Sequence, residues 1–203
     1  MYVPRLNEMN NCDEQVDFIR QFPFATLITV ENKLPQATHV PIVVTENGAT
    51  ISLHTHIAKA NPQVEQLKNG VFLIFSAPHA YISPKNYTSP INVPTWNYIA
   101  VHVYGKARLI ESSYDLEQLM EKTITAFESE FMSQWKTLPA DYKSALFEEI
   151  VAFEILIDKI EGKKKLSQNK SIEEQQRIAE NLSKSPHEHE QLVAKYMDEQ
   201  VKK

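Results

Sequence analysis

The alternation of apolar and polar residues is clearest between Ile51 and Pro62, where the sequence reads ISLHTHIAKANP. Side chains alternate across a β-strand, so one face of this segment is apolar and the other carries His54 and His56. The alternation ends at Lys59. Asn61 and Pro62 follow, and an asparagine followed by proline commonly starts a helix. A lysine beside the free N–H groups of a strand-to-helix junction makes this segment a candidate phosphate site.

Further segments show strand patterns, and Asn47-Gly48 is the strongest hairpin signal among them. Two prolines in the second strand place it at a sheet edge or a bulge, because each removes a hydrogen-bond donor. Several strands without a β-α-β repeat favour a small antiparallel barrel. The predicted strands are 24–30, 34–45, 49–55, 71–76, 98–110 and 150–160, with a long loop over 77–97 and a basic turn over 161–169.

Helical patterns follow the barrel strands, and they suggest how the chain is divided. Short helices are expected after Asp13 and Pro62, amphipathic helices near 112–130 and 139–148, and two polar helices from Ser171 and Ser185. We therefore predict a barrel domain over 1–170 with a helical insertion near 112–148, and a C-terminal helical extension over 171–203. The polar helices either cover the barrel or pack on a partner.

Composition excludes several classes of protein. The 203 residues carry a net charge of −5, which gives no general attraction to nucleic acid or anionic membranes. One cysteine and no apolar segment of membrane-spanning or signal-peptide length indicate a cytoplasmic protein. Four glycines and no glycine-rich motif argue against Rossmann and P-loop nucleotide binding.

The histidine pairs allow more than one interpretation. His54 and His56 share a strand face, so they could bind one metal ion or could form hydrogen bonds in a polar pocket. The second interpretation is favoured because no further histidine has the spacing of a third ligand. His187 and His189 fall on a predicted helix, where residues two apart point in different directions and cannot share an ion.

Two further features could bind ligands. A basic run like that of 159–170 is usually only a solvated turn, and the acidic chain argues against a nucleic-acid patch; a turn that offers Lys and Ser to one anion is the better interpretation. Trp96 ends the long loop, where it could anchor the core or stack on a planar ligand. No pair of carboxylates and no Ser-His-Asp arrangement is apparent, so no catalytic residue and no metal ligand is assigned.

Six motifs together resemble the PaiB-type, flavin-binding family of the split-barrel superfamily. They are PFATLIT (23–29), ATHVP (37–41), LHTHIAKANPQ (53–63), PHAYISPKNY (78–87), VPTWNYIAVHVYG (93–105) and IEGKKKLSQNKS (160–171). The family's usual arginine is Lys59 here, which keeps the charge but loses the bidentate fork. Lys164 stands at a position that is aromatic or lysine in the family.

The resemblance implies a mainly β fold with α-helices (α+β), a six-stranded split β-barrel that forms a homodimer with FMN at the dimer interface. The strand with Thr38, His39, Val40 and Pro41 would run along the isoalloxazine ring. The ribityl chain and phosphate would be contacted by His54, His56, Lys59 and Asn61. The site would be closed, from the same or the partner subunit, by Trp96, Asn97, Lys165, Ser167 and Gln168.

Members of this family are described as negative transcriptional regulators of protease production and sporulation, and as FMN-binding proteins of unknown reaction. The resemblance therefore implies flavin-dependent redox chemistry, with NAD(P)H or another electron donor, or flavin sensing. One alternative is a regulator of gene expression without catalysis, although the acidic charge and the lack of a DNA-reading helix argue against direct DNA binding. Another is a haem- or metal-binding barrel.

Overall fold

The computed structural model describes residues 1–48 and 50–201, and of Asn47 it describes the backbone only. Within them it has eight strands: β1 (Glu8–Met9), β2 (Phe24–Glu31), β3 (Leu34–Pro41), β4 (Val43–Asn47), β5 (Thr50–Ala58), β6 (Val71–Ile82), β7 (Thr95–Leu109) and β8 (Ile150–Lys165). The six α-helices of these residues are α1 (Cys12–Gln21), α2 (Ser113–Phe127), α3 (Met132–Thr137), α4 (Ala140–Glu148), α5 (Ile172–Ser183) and α6 (Glu188–Val201). Short 3-10 helices span Arg5–Asn7, Pro62–Asn69, Pro84–Asn86 and Ser129–Phe131.

The strands form one sheet in the order β3-β2-β6-β7-β8-β5-β4, and β1 pairs with β8. The pairings with a defined register are antiparallel, as predicted: β2 pairs with β3 and β6, and β5 pairs with β4 and β8. β3 ends the sheet, so the lack of an N–H at Pro35 is tolerated there. The strand count is two higher than the resemblance implied.

Some predicted boundaries were wrong, and tertiary pairing explains the differences. The predicted second strand is broken at Ile42, whose N–H donates to the Pro23 carbonyl at 2.8 Å. The predicted loop over 77–97 shortens because β6 continues in alternating burial to Ile82 and β7 begins at Thr95. β8 likewise extends into the predicted basic turn as far as Lys165, since β1 pairs with it at Gly162 and Lys163. The predicted hairpin is confirmed with Gly48 at φ +63°, but the predicted strand start at Ala49 lies outside the described residues.

The chain separates into two units. Unit 1 comprises residues 1–15, 76–102 and 161–203, and unit 2 comprises 16–75 and 103–160. In unit 2 the largest buried side chains include Leu27, Leu53, Phe75 and Phe153. In unit 1, α5 and α6 pack against each other and bury apolar side chains that include Ile178 and Val193. The predicted domain boundary between residues 170 and 171 stays a prediction.

Candidate functional site

The junction after β5 is fixed by a network of polar side chains within unit 2. Asn61 caps the following 3-10 helix, as predicted, because its Oδ1 accepts from the Gln63 N–H at 2.9 Å and proline follows at the first position. The Asn61 amide donates to Thr38 Oγ1 at 3.1 Å. The buried Gln63 accepts from Thr38 and donates to Thr29 Oγ1 at 2.9 Å. The sequence-predicted residues Thr38 and Asn61 are therefore brought together.

Lys59 supplies a cationic side chain at this junction. Its backbone N–H donates to the Glu149 carbonyl at 2.8 Å, while its side chain is exposed. Among the described residues, the Lys59 ammonium has no hydrogen-bond or ion-pair partner. The first N–H groups of the helix already donate hydrogen bonds to Asn61. The Gln63 N–H donates to the Asn61 side chain, and the Val64 N–H donates to the Asn61 carbonyl. An anion here would depend on Lys59 more than on backbone donors.

The remaining residues of the predicted flavin strand differ in exposure. His39 is exposed and stacks on Phe24 with ring centroids 5.9 Å apart. Val40 is buried, and the Pro41 carbonyl accepts from Thr55 Oγ1 at 2.7 Å. β3 therefore presents His39, with its neighbour Phe24, as a flat aromatic surface.

His54 and His56 share one face of β5, as predicted, and this face is opposite to Thr55. Nε2 of His54 lies 2.8 Å from Thr45 Oγ1 and 3.1 Å from Ser52 Oγ. It is also 3.8 Å from a carboxylate oxygen of Glu154, the residue opposite it in β8. The second of the two predicted interpretations, hydrogen bonding in a polar pocket, therefore describes His54.

His54 lines a cavity of about 440 Å³, whose wall includes Lys122 of α2 and Arg108 of β7. Burial lowers the pKa of His54, and Lys122 and Arg108 add to this effect while Glu154 opposes it. Burial alone lowers the pKa of His56. Both imidazoles are therefore held towards their neutral form, and among the described residues neither forms a hydrogen bond to Thr38 or Asn61.

Within unit 1, Lys165 at the end of β8 is held beside the start of β7. Its ammonium donates to Thr95 Oγ1 and, at 2.8 Å, to the Trp96 carbonyl. Burial lowers the pKa of Lys165, and the nearby charge of Lys163 lowers it further. Trp96 itself is 53% exposed.

The other residues predicted to close the site bond to the protein itself. Asn97 is fully buried, and its amide donates to Ser167 Oγ at 3.0 Å. Ser167 has φ +61°, and Gln168 stabilises this turn by accepting from the Leu166 N–H and donating to the Lys164 carbonyl. These three side chains shape the turn after β8, whereas Trp96 is exposed and Lys165 is partly buried.

Sequence reasoning missed the neighbours of Trp96. Its ring lies 5.8 Å from His79 and 6.0 Å, edge-on, from Tyr81, both of which are exposed residues of β6. The alternation in PHAY was the available signal, because residues two apart in a strand share a face. The prediction of a loop over this segment concealed it.

Within the part of the chain that the structure describes, no three His, Cys, Asp or Glu residues are grouped to hold a metal ion. No helix of the described residues has the length and apolar character needed to cross a membrane.

Comparisons with known proteins place the chain in a family. Residues 1–159 match the family model described as "Putative FMN-binding domain". The chain is 32% identical to "Protease synthase and sporulation protein PAI 2" of Bacillus subtilis, over 100% of this chain and 99% of that protein.

Solved structures show the fold. The flavocytochrome Anf3 of Azotobacter vinelandii superposes with a TM-score of 0.62 and 16% identity, over 80% of this chain and 72% of that one. The FAD and heme binding protein of Mycobacterium smegmatis gives a TM-score of 0.60 and 16% identity, over 83% and 78% of the two chains. The predicted fold class, an α+β split barrel with flanking helices, is confirmed. The family model and the full-length Bacillus relative together show that the chain belongs to the FMN-binding domain family, and that its cofactor is FMN.

Proposed function

We propose that this protein binds FMN with the phosphate at Lys59 and uses the flavin for electron transfer or redox sensing. The observation that carries the proposal is the free ammonium of Lys59 beside the fixed Thr38–Asn61–Gln63 junction. A phosphate monoester carries nearly two negative charges and needs cationic or N–H donors. The junction is held by its own hydrogen bonds, and no carboxylate among the described residues forms an ion pair with Lys59.

The flat part of the cofactor fits the same unit. His39 and Phe24 form an exposed stacked pair on the edge of the sheet, and an isoalloxazine ring can cover such a surface. Thr38, Val40 and Pro41 would then support the ring from the strand backbone. His54 and His56 occupy the opposite face of β5 from Thr55, and we propose that they hold the strand rather than the ribityl chain.

We propose separately that unit 1 offers contacts of its own to a flavin. Trp96 offers an exposed indole, and Lys165 offers an ammonium held by two oxygen acceptors. A negatively charged group would favour the protonated form of Lys165, which burial disfavours. Asn97, Ser167 and Gln168 would contribute by holding the turn that carries Lys165.

FMN, when bound, supplies the electron-transfer chemistry, and the chain supplies binding, orientation and hydrogen bonds that set its potential. NAD(P)H is the electron donor that we propose to test first. The exposed thiol of Cys12 is compatible with a reducing cytoplasm, where we place the protein.

We further propose that two copies associate through the β2–β3 edge. Phe24, Val30 and Leu34 are each at least half exposed on these two strands. Exposed apolar side chains on the strands at a sheet edge are typical of an interface. Sedimentation velocity should show a dimer that Leu34→Glu weakens, and a concentration-independent monomer would contradict this.

Flavin retention tests the central proposal. The full chain is purified, its visible spectrum recorded, and the measurement repeated after reconstitution with FMN and gel filtration. Flavin absorbance that elutes with the protein, at one FMN per chain, is the expected result and would justify assays of NAD(P)H oxidation. Protein that stays colourless after reconstitution would refute the assignment of a functional FMN site.

A role in gene expression is a second candidate, favoured by the full-length relative named as a protease synthase and sporulation protein. We propose that such a role acts through the flavin state and other proteins, because the net charge of −5 opposes direct DNA binding. A gel shift with sequence-specific DNA binding at physiological salt would overturn the second part of this proposal.

A further inference from the structure

Two histidine rings from distant parts of the sequence meet on the surface of unit 1. His79 lies in β6 and His189 in the first turn of α6, and their ring centroids are 4.7 Å apart with an interplanar angle of 33°. Both residues are exposed. The sequence pattern grouped His189 with His187, and it gave no sign of a contact with position 79.

The separation of the rings matches that of two imidazoles bound to one metal ion. An imidazole nitrogen binds a divalent transition metal at about 2.0–2.1 Å, which places the ion about 3.2 Å from the ring centre. For bond angles at the metal between about 90° and about 110°, the two ring centres are about 4.5–5.2 Å apart. The observed 4.7 Å lies within this range, so the two rings already have the separation that a shared ion requires.

The charges near His189 favour a cation. Glu188 and Glu190 flank it in the first turn of α6. Their carboxylates offset the positive end of the helix dipole, which by itself would disfavour a metal ion here. Since no group of three or more potential ligands converges among the described residues, His79 and His189 would be the only protein donors and water would complete the coordination.

We propose that His79 and His189 form an open two-histidine site for a borderline divalent transition metal ion. Neutral nitrogen ligands bind Cu²⁺ most tightly, with Ni²⁺ and Zn²⁺ weaker. The bound ion links the start of α6 to β6, two elements that are far apart in sequence.

The fluorescence of Trp96 can report metal binding, because its ring centroid lies 5.8 Å from that of His79. Cu²⁺ bound between the histidines quenches emission from an indole at this distance. The same titration on Trp96→Phe should lose most of the quenching while calorimetry still detects binding.

The experiment titrates the tag-free full chain with CuCl₂ by fluorescence and with NiCl₂ by calorimetry, with and without FMN. One ion per chain is expected. His79→Ala and His189→Ala should each weaken binding at least about tenfold, because a chelate becomes a single contact. His187→Ala is the matched control: it removes an exposed imidazole two residues away and should leave the affinity unchanged.

Stability gives an independent measurement. Ni²⁺ should raise the urea midpoint of the wild-type chain and of His187→Ala, but not of the two site variants, because the ion binds only the folded chelate. Equal weakening by all three alanine substitutions, or wild-type affinity in His79→Ala and His189→Ala, would overturn the proposal. Neither measurement needs bound flavin, so failure here is distinguishable from failure of the FMN proposal.

Discussion

Replacing Lys59 with alanine tests the phosphate assignment most directly. The side chain is exposed and has no partner among the described residues, so its removal leaves no buried group unsatisfied. Lys59→Ala should therefore unfold at nearly the same urea concentration as the wild type, and any change in FMN affinity can be assigned to the lost contact.

The expected loss follows from the kind of contact. A hydrogen bond to a charged group contributes about 1.5–3 kcal/mol, which corresponds to a dissociation constant about 10- to 150-fold higher. Because the ammonium is exposed, salt screens its attraction to phosphate, with a Debye length of about 10 Å at 0.1 M. The difference between wild type and variant should therefore narrow as salt is added.

The assay is quenching of FMN fluorescence during titration with protein, at low and high salt. Lys68→Ala is the matched control, because Lys68 is an exposed lysine of the 3-10 helix that starts at the same junction. Riboflavin, which has no phosphate, should bind wild type and Lys59→Ala equally. Equal FMN affinities for Lys59→Ala and wild type would refute the placement of the phosphate.

Three further predictions concern stability and pH. Gly105→Ala should cost about 1–3 kcal/mol of unfolding free energy by urea titration, since an added Cβ would lie 2.8 Å from Ile155 Cγ2 and closer still to a backbone oxygen. Asn97→Ala should cost about 1–3 kcal/mol by the same assay, because it leaves the buried Ser167 hydroxyl without its partner. Burial lowers the pKa of His56, so as pH falls the unfolded chain binds more protons than the folded chain and the folded chain loses stability. His56→Gln should therefore make the free energy of unfolding less dependent on pH between about pH 7.5 and about pH 5.5.

Each of these predictions has its own control. An unchanged urea midpoint in Gly105→Ala would mean that β7 and β8 are farther apart at this point than the structure shows. A double-mutant cycle of Asn97→Ala with Ser167→Ala should reveal coupling, whereas additive effects would exclude the bond. His187→Gln, at an exposed position, should keep the pH dependence of the wild type.

Local pattern was enough to predict the strand and junction around Lys59. The alternation in β5 identified its two faces, and Asn61 followed by proline identified the cap, because both depend on neighbours in sequence. The partners of His54 could not be predicted in the same way. Glu154 is opposite it in β8, and the cavity wall comes from α2, so both depend on tertiary pairing.

The burial of the basic segment after position 160 could not be predicted from local pattern either. Charged runs are usually solvated, and the preferred prediction for these lysines was a turn that offers Lys and Ser to one anion, yet Lys163 is only 8% exposed. It lies in β8 opposite Glu8, with its ammonium 5.1 Å from the centre of the Tyr98 ring and bonded to the Tyr2 carbonyl at 3.2 Å. A cation can be buried when aromatic faces and a carbonyl replace water, and those partners are remote in sequence.

The residues predicted to close the flavin site form two groups, according to whether their polar atoms are already hydrogen-bonded within the protein. The first group is hydrogen-bonded at or to the turn after β8 and consists of Asn97, Ser167 and Gln168. To bind FMN, these side chains would first have to break the bonds that hold Ser167 in its left-handed conformation. Lys165 and Trp96 carry no such cost, because the lysine keeps one further N–H donor and the tryptophan is exposed. A family motif therefore contains two kinds of residue, those that stabilise the backbone conformation and those that contact the ligand. Sequence alone does not separate them, because the distinction depends on which polar atoms the folded chain has already paired.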